Sequence, residues 1–363
     1  MAEYISFQPR DFFSTKLYTG TGAELANTGV GFQPDLVWIK ERSGTEAPHL
    51  STSVQGATYY LQSNTVGAQG TDAQGLKSFD ADGYTLGNAN YWNWTAKTFV
   101  GWSWKGGTSS GIATNGSTTI TPSAYSFNQT SGFSVIKYSG NNTSGAKVAH
   151  GLGAVPEMII VKTTNTANDW NIYHKGVDIV VPISAPEDYY MTFTSGARTN
   201  DSSRWNDTAP DAVNFTLGNA AAVNGSSNTM VAYCFAPKNG YSRFGKYWGN
   251  GQTETASTFI YTGFKPNFVM VKKSNLTEAW QMTDIVRDNT VSGIGNSGGA
   301  RLQAQSSSTE NTNATWALIN KYSNGFQPNH SDGVINGSGD EYIYMAFAEF
   351  PLVSSNDVPV VAR

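Results

Sequence analysis

The 363-residue chain is 39% hydrophobic but only 14% charged, with a net charge of −4, against about a quarter charged in an ordinary globular protein. Ten Trp, eighteen Tyr and eighteen Phe among abundant Gly, Ser, Thr and Asn favour strands and turns over helices. The Lys and Arg residues form no basic run for nucleic acid, the one cysteine (Cys234) excludes an intrachain disulfide, and no stretch approaches the ~18 apolar residues of a membrane helix.

Residues 1–12, with Phe7, Pro9 and Phe12, read as an N-terminal arm that docks on a neighbour or frays, and lack the apolar run of a signal peptide. A first module follows over 13–126. It opens with Lys16-Leu17-Tyr18-Thr19-Gly20 and continues with Gly31-Phe32-Gln33-Pro34-Asp35-Leu36-Val37-Trp38-Ile39-Lys40. The Gly-x-x-Pro element fixes a turn, and the four apolar residues after the polar position predict a fully buried strand ending at a lysine. A weaker motif, Tyr60-Leu61-Gln62-Ser63, comes next. Asp82-Gly83 predicts a hairpin. Phe99-Val100-Gly101-Trp102-Ser103-Trp104 closes the unit, with the small Gly101 beside a large aromatic as in a sandwich strand.

The segment at about 106–128 is dominated by Gly, Ser, Thr and Asn and is expected to be a linker. The same motifs then return in a second module, 127–240: Ile136-Lys137-Tyr138-Ser139-Gly140, Gly153 through Pro156 to Lys162, Tyr190-Met191-Thr192-Phe193, and Met230 to Phe235. Cys234 falls in that closing strand and is expected to be a small buried hydrophobe. They return again in a third, 241–351: Gly245-Lys246-Tyr247-Trp248-Gly249, Gly263 through Pro266 to Lys272, Arg301-Leu302-Gln303-Ala304, an Asn324-Gly325 hairpin signal, and Tyr344 to Glu349. A C-terminal tail covers 352–363. The period of about 110–120 residues is that of a domain, so each unit is expected to bury its own core. The predicted fold is all-β: three tandem β-sandwich modules, jelly-roll or lectin-like, related by internal repeat.

Chemistry is sparse. His49, His150, His174 and His330 form no metal-ligand spacing, and neither a nucleophile elbow nor a phosphate-binding loop occurs. Asp80-Ala81-Asp82-Gly83 resembles the start of a calcium loop but lacks the later carboxylates, so a β-turn is expected. The sequons at Asn93, Asn115, Asn206 and Asn336 are those chance provides in a chain this rich in Asn, Ser and Thr. No catalytic residue, metal or cofactor is expected, and the chain reads as a non-enzyme. The candidate ligand-binding residues are Tyr91, Trp92 and Trp94 in one polar segment, Trp205 in another, and Trp248, which replaces a small residue of the other repeats. Exposed rings beside amides suit sugar stacking; the alternative is that they fill a core edge or a subunit interface. Trp38, Trp102 and Trp104 are expected to be packing residues.

Six stretches carry a family resemblance: Tyr18-Thr19-Gly20-Thr21-Gly22, Gly29 to Lys40 and Ser78 to Gly87 in the first unit, His150 to Lys162 and Val231 to Pro237 in the second, and Tyr342 to Glu349 in the third. They resemble a β-rich repeat family of structural and tail-fibre-like proteins in tailed phages of marine bacteria, including cyanobacteria. The resemblance implies a virion protein assembled in the host cytoplasm, with other virion proteins as partners. A tail or tail-fibre component contributing to host attachment, through surface glycans, is the expectation. A capsid decoration or head-fibre protein is the alternative, and a glycan-degrading tailspike enzyme comes third. A homo-oligomer, favoured as a trimer, is expected, although three modules in one chain also mimic a trimer alone. Neither nucleic acid nor membrane insertion is expected.

Overall fold

A computed structural model describes residues 7–178, 184–253, 256–287, 300–312 and 319–349. The fold is all-β, built from antiparallel sheets, and its α-helices are single turns of four residues. The expected C-terminal tail lies outside the described residues, as do residues 1–6 of the N-terminal arm.

Each repeat forms one large sheet with the same strand order: opening strand, closing strand, lysine strand, third strand. In repeat 1 these are Phe13–Thr19, Thr98–Trp104, Leu36–Glu41 and His49–Thr52; in repeat 2, Phe133–Ser139, Thr229–Phe235, Met158–Thr163 and Asn171–His174; in repeat 3, Ser242–Trp248, Glu341–Phe347, Phe268–Lys273 and Gln281–Asp284. The registers also agree, pairing Phe13 with Trp104, Phe133 with Phe235, and Ser242 with Phe347. A smaller sheet covers each large one, and both predicted hairpins lie there, pairing Asp80 with Gly83 and Tyr322 with Gly325. Asp82 accepts from the amides of Gly29 and Gly31, which hold its carboxyl below the ordinary range. It is a turn residue, as expected.

The linker expectation needs correction. Ala124–Asn128 is a strand on the outer side of Phe133–Ser139, so repeat 2 begins before residue 127, and its boundary moves back into what reads as low-complexity sequence.

The larger correction concerns the core. Every residue of the three lysine strands is buried, because alternate side chains enter different cores. Leu36 and Trp38, Met158 and Ile160, and Phe268 and Met270 join one central cluster drawn from all three repeats. Val37 and Ile39, Ile159 and Val161, and Val269 and Val271 enter three separate outer clusters beneath the small sheets. Each repeat therefore buries an outer core of its own, as expected, but the repeats are not independent, because their large sheets also pack around a shared one.

That shared core has an axis. Trp104, Phe235 and Phe347 hold the same position in the three closing strands, and their rings meet pairwise at 6.4, 5.8 and 5.9 Å. At another level Phe193 fills the centre, with ring centroids 5.6, 5.3 and 5.5 Å from Trp38, Trp170 and Trp280. Its counterparts in the weak third motif, Ser63 and Ala304, are small, fully buried, and joined by a hydrogen bond of 2.5 Å from Ser63 Oγ to the Ala304 carbonyl. One large and two small residues share a volume that three identical side chains would overfill.

The seams repeat as well. Two residues beyond each lysine, the carbonyls of Arg42, Thr164 and Ser274 accept 2.8 Å bonds from Glu310, Gln69 and Arg198. Repeat 1 therefore reaches repeat 2, repeat 2 reaches repeat 3, and repeat 3 returns to repeat 1. The chain is a closed ring of three.

Candidate functional site

Tyr91, Trp92, Trp94 and Trp248 belong to a corner that recurs in each repeat. The opening-strand tyrosines Tyr18, Tyr138 and Tyr247 each donate a 2.7 Å bond to a carbonyl, of Trp92, Val223 and Ile335 respectively. The next residue is in every case a fully buried asparagine: Asn93, Asn224 or Asn336. Its side chain accepts from the amide of Thr21, Asn141 or Asn250 and donates to nearby carbonyls. At Gly20, Gly140 and Gly249 a Cβ would lie 2.1, 2.4 and 2.2 Å from a facing carbonyl oxygen. The Tyr-x-Gly motif thus marks a backbone staple. The asparagine escaped sequence reasoning, yet it stands five residues before every closing strand. The sequons at Asn93 and Asn336 are consumed by this structural role.

Trp92 lies on the single helical turn of this corner in repeat 1, and Trp205 on a similar turn, Ser202–Trp205, in repeat 2. They are 1% and 2% exposed and belong to outer clusters. The expected ligand-binding role of both is corrected: each turn rolls its indole inward under the sheet. Tyr91 is half-buried, stacked on His49 at 5.0 Å, with its hydroxyl on Asp72. Trp94 and Trp248 are exposed, at 41% and 47%, with Lys97 and Lys246 over their rings at 5.3 and 5.0 Å. They occupy this corner in repeats 1 and 3, and repeat 2 has Gly225 and Ser139 at the corresponding places.

Buried polar groups gather at the seams. The lysines that end the apolar runs, Lys40, Lys162 and Lys272, each donate to the carbonyl of the next residue, and Lys162 and Lys272 also donate across a seam to Val66 and Ser195. Burial pulls each ammonium down to about 8. His174 donates from Nε2 to the Tyr344 carbonyl of repeat 3 and accepts at Nδ1 from Gly176; burial lowers it to about 4. Burial lowers His49 to about 3 and raises the Cys234 thiol, which lies in an outer core as expected. Between repeats 3 and 1, Arg287 bridges Asp284 (2.6 Å) and Glu310 (3.0 Å), Glu310 binds Arg42 (2.8 Å), and Trp102 Nε1 donates to Asp284 (3.0 Å). Among the described residues no three His, Cys, Asp or Glu side chains are grouped to hold a metal, and no helix is long and apolar enough to cross a membrane.

A groove of about 660 Å³ at the seam of repeats 1 and 2 is lined by Gln33, Asp35, Ser53, Lys105, Ser123 and Tyr125, among others. Asp35 is tied down by Ser53 Oγ at 2.5 Å and the Gly106 amide at 2.8 Å.

A family model described as a domain of unknown function, DUF7483, matches residues 8–351. The match spans all three repeats, and the chain belongs to that family. No curated protein and no solved structure matches it.

Proposed function

We propose that this member of the DUF7483 family is a non-enzymatic structural component of a phage particle, most concretely a tail or tail-fibre protein that contributes to host attachment. The observation that carries this reading is the closed ring. Three lectin-like or jelly-roll-like sandwich repeats, fused around one core, give a single chain the threefold shape that fibres otherwise gain by trimerising. One chain then supplies its own threefold element, and its external contacts are with other virion proteins. Buried charges join the repeats at their seams and buried asparagines staple the corner of each one, which suits a rigid component. Trp94 and Trp248, with Tyr91 half-exposed, are the rings left to meet a surface glycan.

The test is location: antibody labelling of this chain on intact particles, imaged by electron microscopy. Label at the tail tip or fibres is the expected result. Label spread over the head would replace the attachment role with shell decoration.

A further inference from the structure

The groove between repeats 1 and 2 is where the threefold rule is broken. Lys105 follows the axial Trp104, whereas the matching residues after Phe235 and Phe347 are Ala236 and Ala348, both fully buried. Repeat 1 alone places a cation there. Its ammonium lies 5.7 Å from the Phe12 ring and forms no ion pair among the described residues. The extra strand Ala124–Asn128 builds the opposite wall. Asp35, the carboxylate of the groove lining, already accepts two hydrogen bonds on its two oxygens and is 5% exposed. What the groove offers outward is the Lys105 ammonium, the exposed amide of Gln33, the hydroxyl of Ser123, which donates to the Lys137 carbonyl and keeps its oxygen to accept, and the half-exposed ring of Tyr125. Its volume is within the range of small-ligand sites.

We infer that this groove binds a hydroxyl-rich ligand bearing a carboxylate, a short acidic saccharide, with Lys105 pairing the carboxylate, Gln33 and Ser123 meeting hydroxyls, and Tyr125 lying against the sugar face. The inference deepens the attachment reading and rests on it for context only, since particle labelling tests location and binding tests the groove.

The experiment is isothermal titration calorimetry of the full chain with trigalacturonate, and with maltotriose as the uncharged probe. Expected are saturable binding of trigalacturonate that weakens with added salt, at least tenfold weaker binding by Lys105→Ala, severalfold weaker binding by Gln33→Ala, and unchanged binding by Lys77→Ala, a lysine of the small outer sheet that does not line the groove. Absence of binding overturns the inference. So does binding that survives Lys105→Ala, equal binding of maltotriose, or loss on Trp94→Ala or Trp248→Ala, which would move the ligand to the corner aromatics.

Discussion

The seam between repeats 3 and 1 and the seam between repeats 1 and 2 are built from equivalent strands but finished differently. The first is sealed by a buried run of charges from Arg42 through Glu310 and Arg287 to Asp284. The second has no ion pair between repeats among the described residues and is left open as a polar groove. The chain passes from repeat 1 directly into repeat 2, so their encounter is local. Closing repeat 3 onto repeat 1 requires two segments more than 200 residues apart to meet, which costs loop entropy. Directional charge pairs specify that closure. The 2–3 seam, also tethered, carries the ion pairs Arg198–Glu341 and Lys246–Asp178, so tethering alone does not dispense with charge. What sets the untethered seam apart is that its run is the buried one, centred on the fully buried Arg287 and Asp284, while the 1–2 seam, without a pair, carries a departure such as Lys105.

The sharpest break of this contrast is Arg287→Met. It leaves the buried Asp284 without a counter-ion, holding the Trp102 Nε1 bond, while Glu310 keeps Arg42, and should cost about 3–5 kcal/mol in denaturant unfolding; a cost below ~1 kcal/mol would make the charged seam ornamental. Phe193→Ala empties the axis where no small counterpart can expand and should cost about 3–5 kcal/mol. Smaller effects of about 1 kcal/mol each are expected for Tyr18→Phe, Tyr138→Phe and Tyr247→Phe, which orphan one carbonyl apiece; nearly equal losses would show that the corner serves the three repeats alike.

Titration separates the seams further. Glu349, bonded to Asn267 near the 3–1 seam, is pushed up to about 7 by burial and the nearby Asp284. A carboxyl raised above its free value of 4.5 contributes stability that is full below that pH and lost as pH rises through about 7. Melting temperatures should therefore fall less between pH 5 and 8 in Glu349→Gln than in the parent chain. The three seam lysines act oppositely. Lowered from 10.5 to about 8, they contribute stability present above pH 10.5 and lost as pH falls through about 8. Lys162→Met should flatten that alkaline rise. The smallest effect is that of Lys105→Ala, within about 0.5 kcal/mol, because a groove residue contributes to binding rather than closure.

Much of this was legible in the residues. The Gly-x-x-Pro turns, the apolar runs ending at Lys40, Lys162 and Lys272, and the Asp82-Gly83 and Asn324-Gly325 hairpins all fold as their local chemistry dictates. What the runs conceal is that burial on both faces erases the period of two, so Leu36 and Val37 look alike although they enter different cores. The third motif looks weak because Ser63, Phe193 and Ala304 compete for one axial volume, and complementarity of size leaves no repeated letter. Trp92 and Trp205 misled because Asn and Asp around them signal a polar loop, while a single helical turn suffices to point the indole inward. Strand Ala124–Asn128 was hidden by the Gly- and Ser-rich residues that precede it.

The central claim, one body around a shared axis, is tested most directly by scanning calorimetry of the full chain. A single transition whose calorimetric and van't Hoff enthalpies agree is the predicted result. Three resolved transitions, each with the enthalpy of a domain of about 110 residues, would contradict the shared core and restore three independent modules.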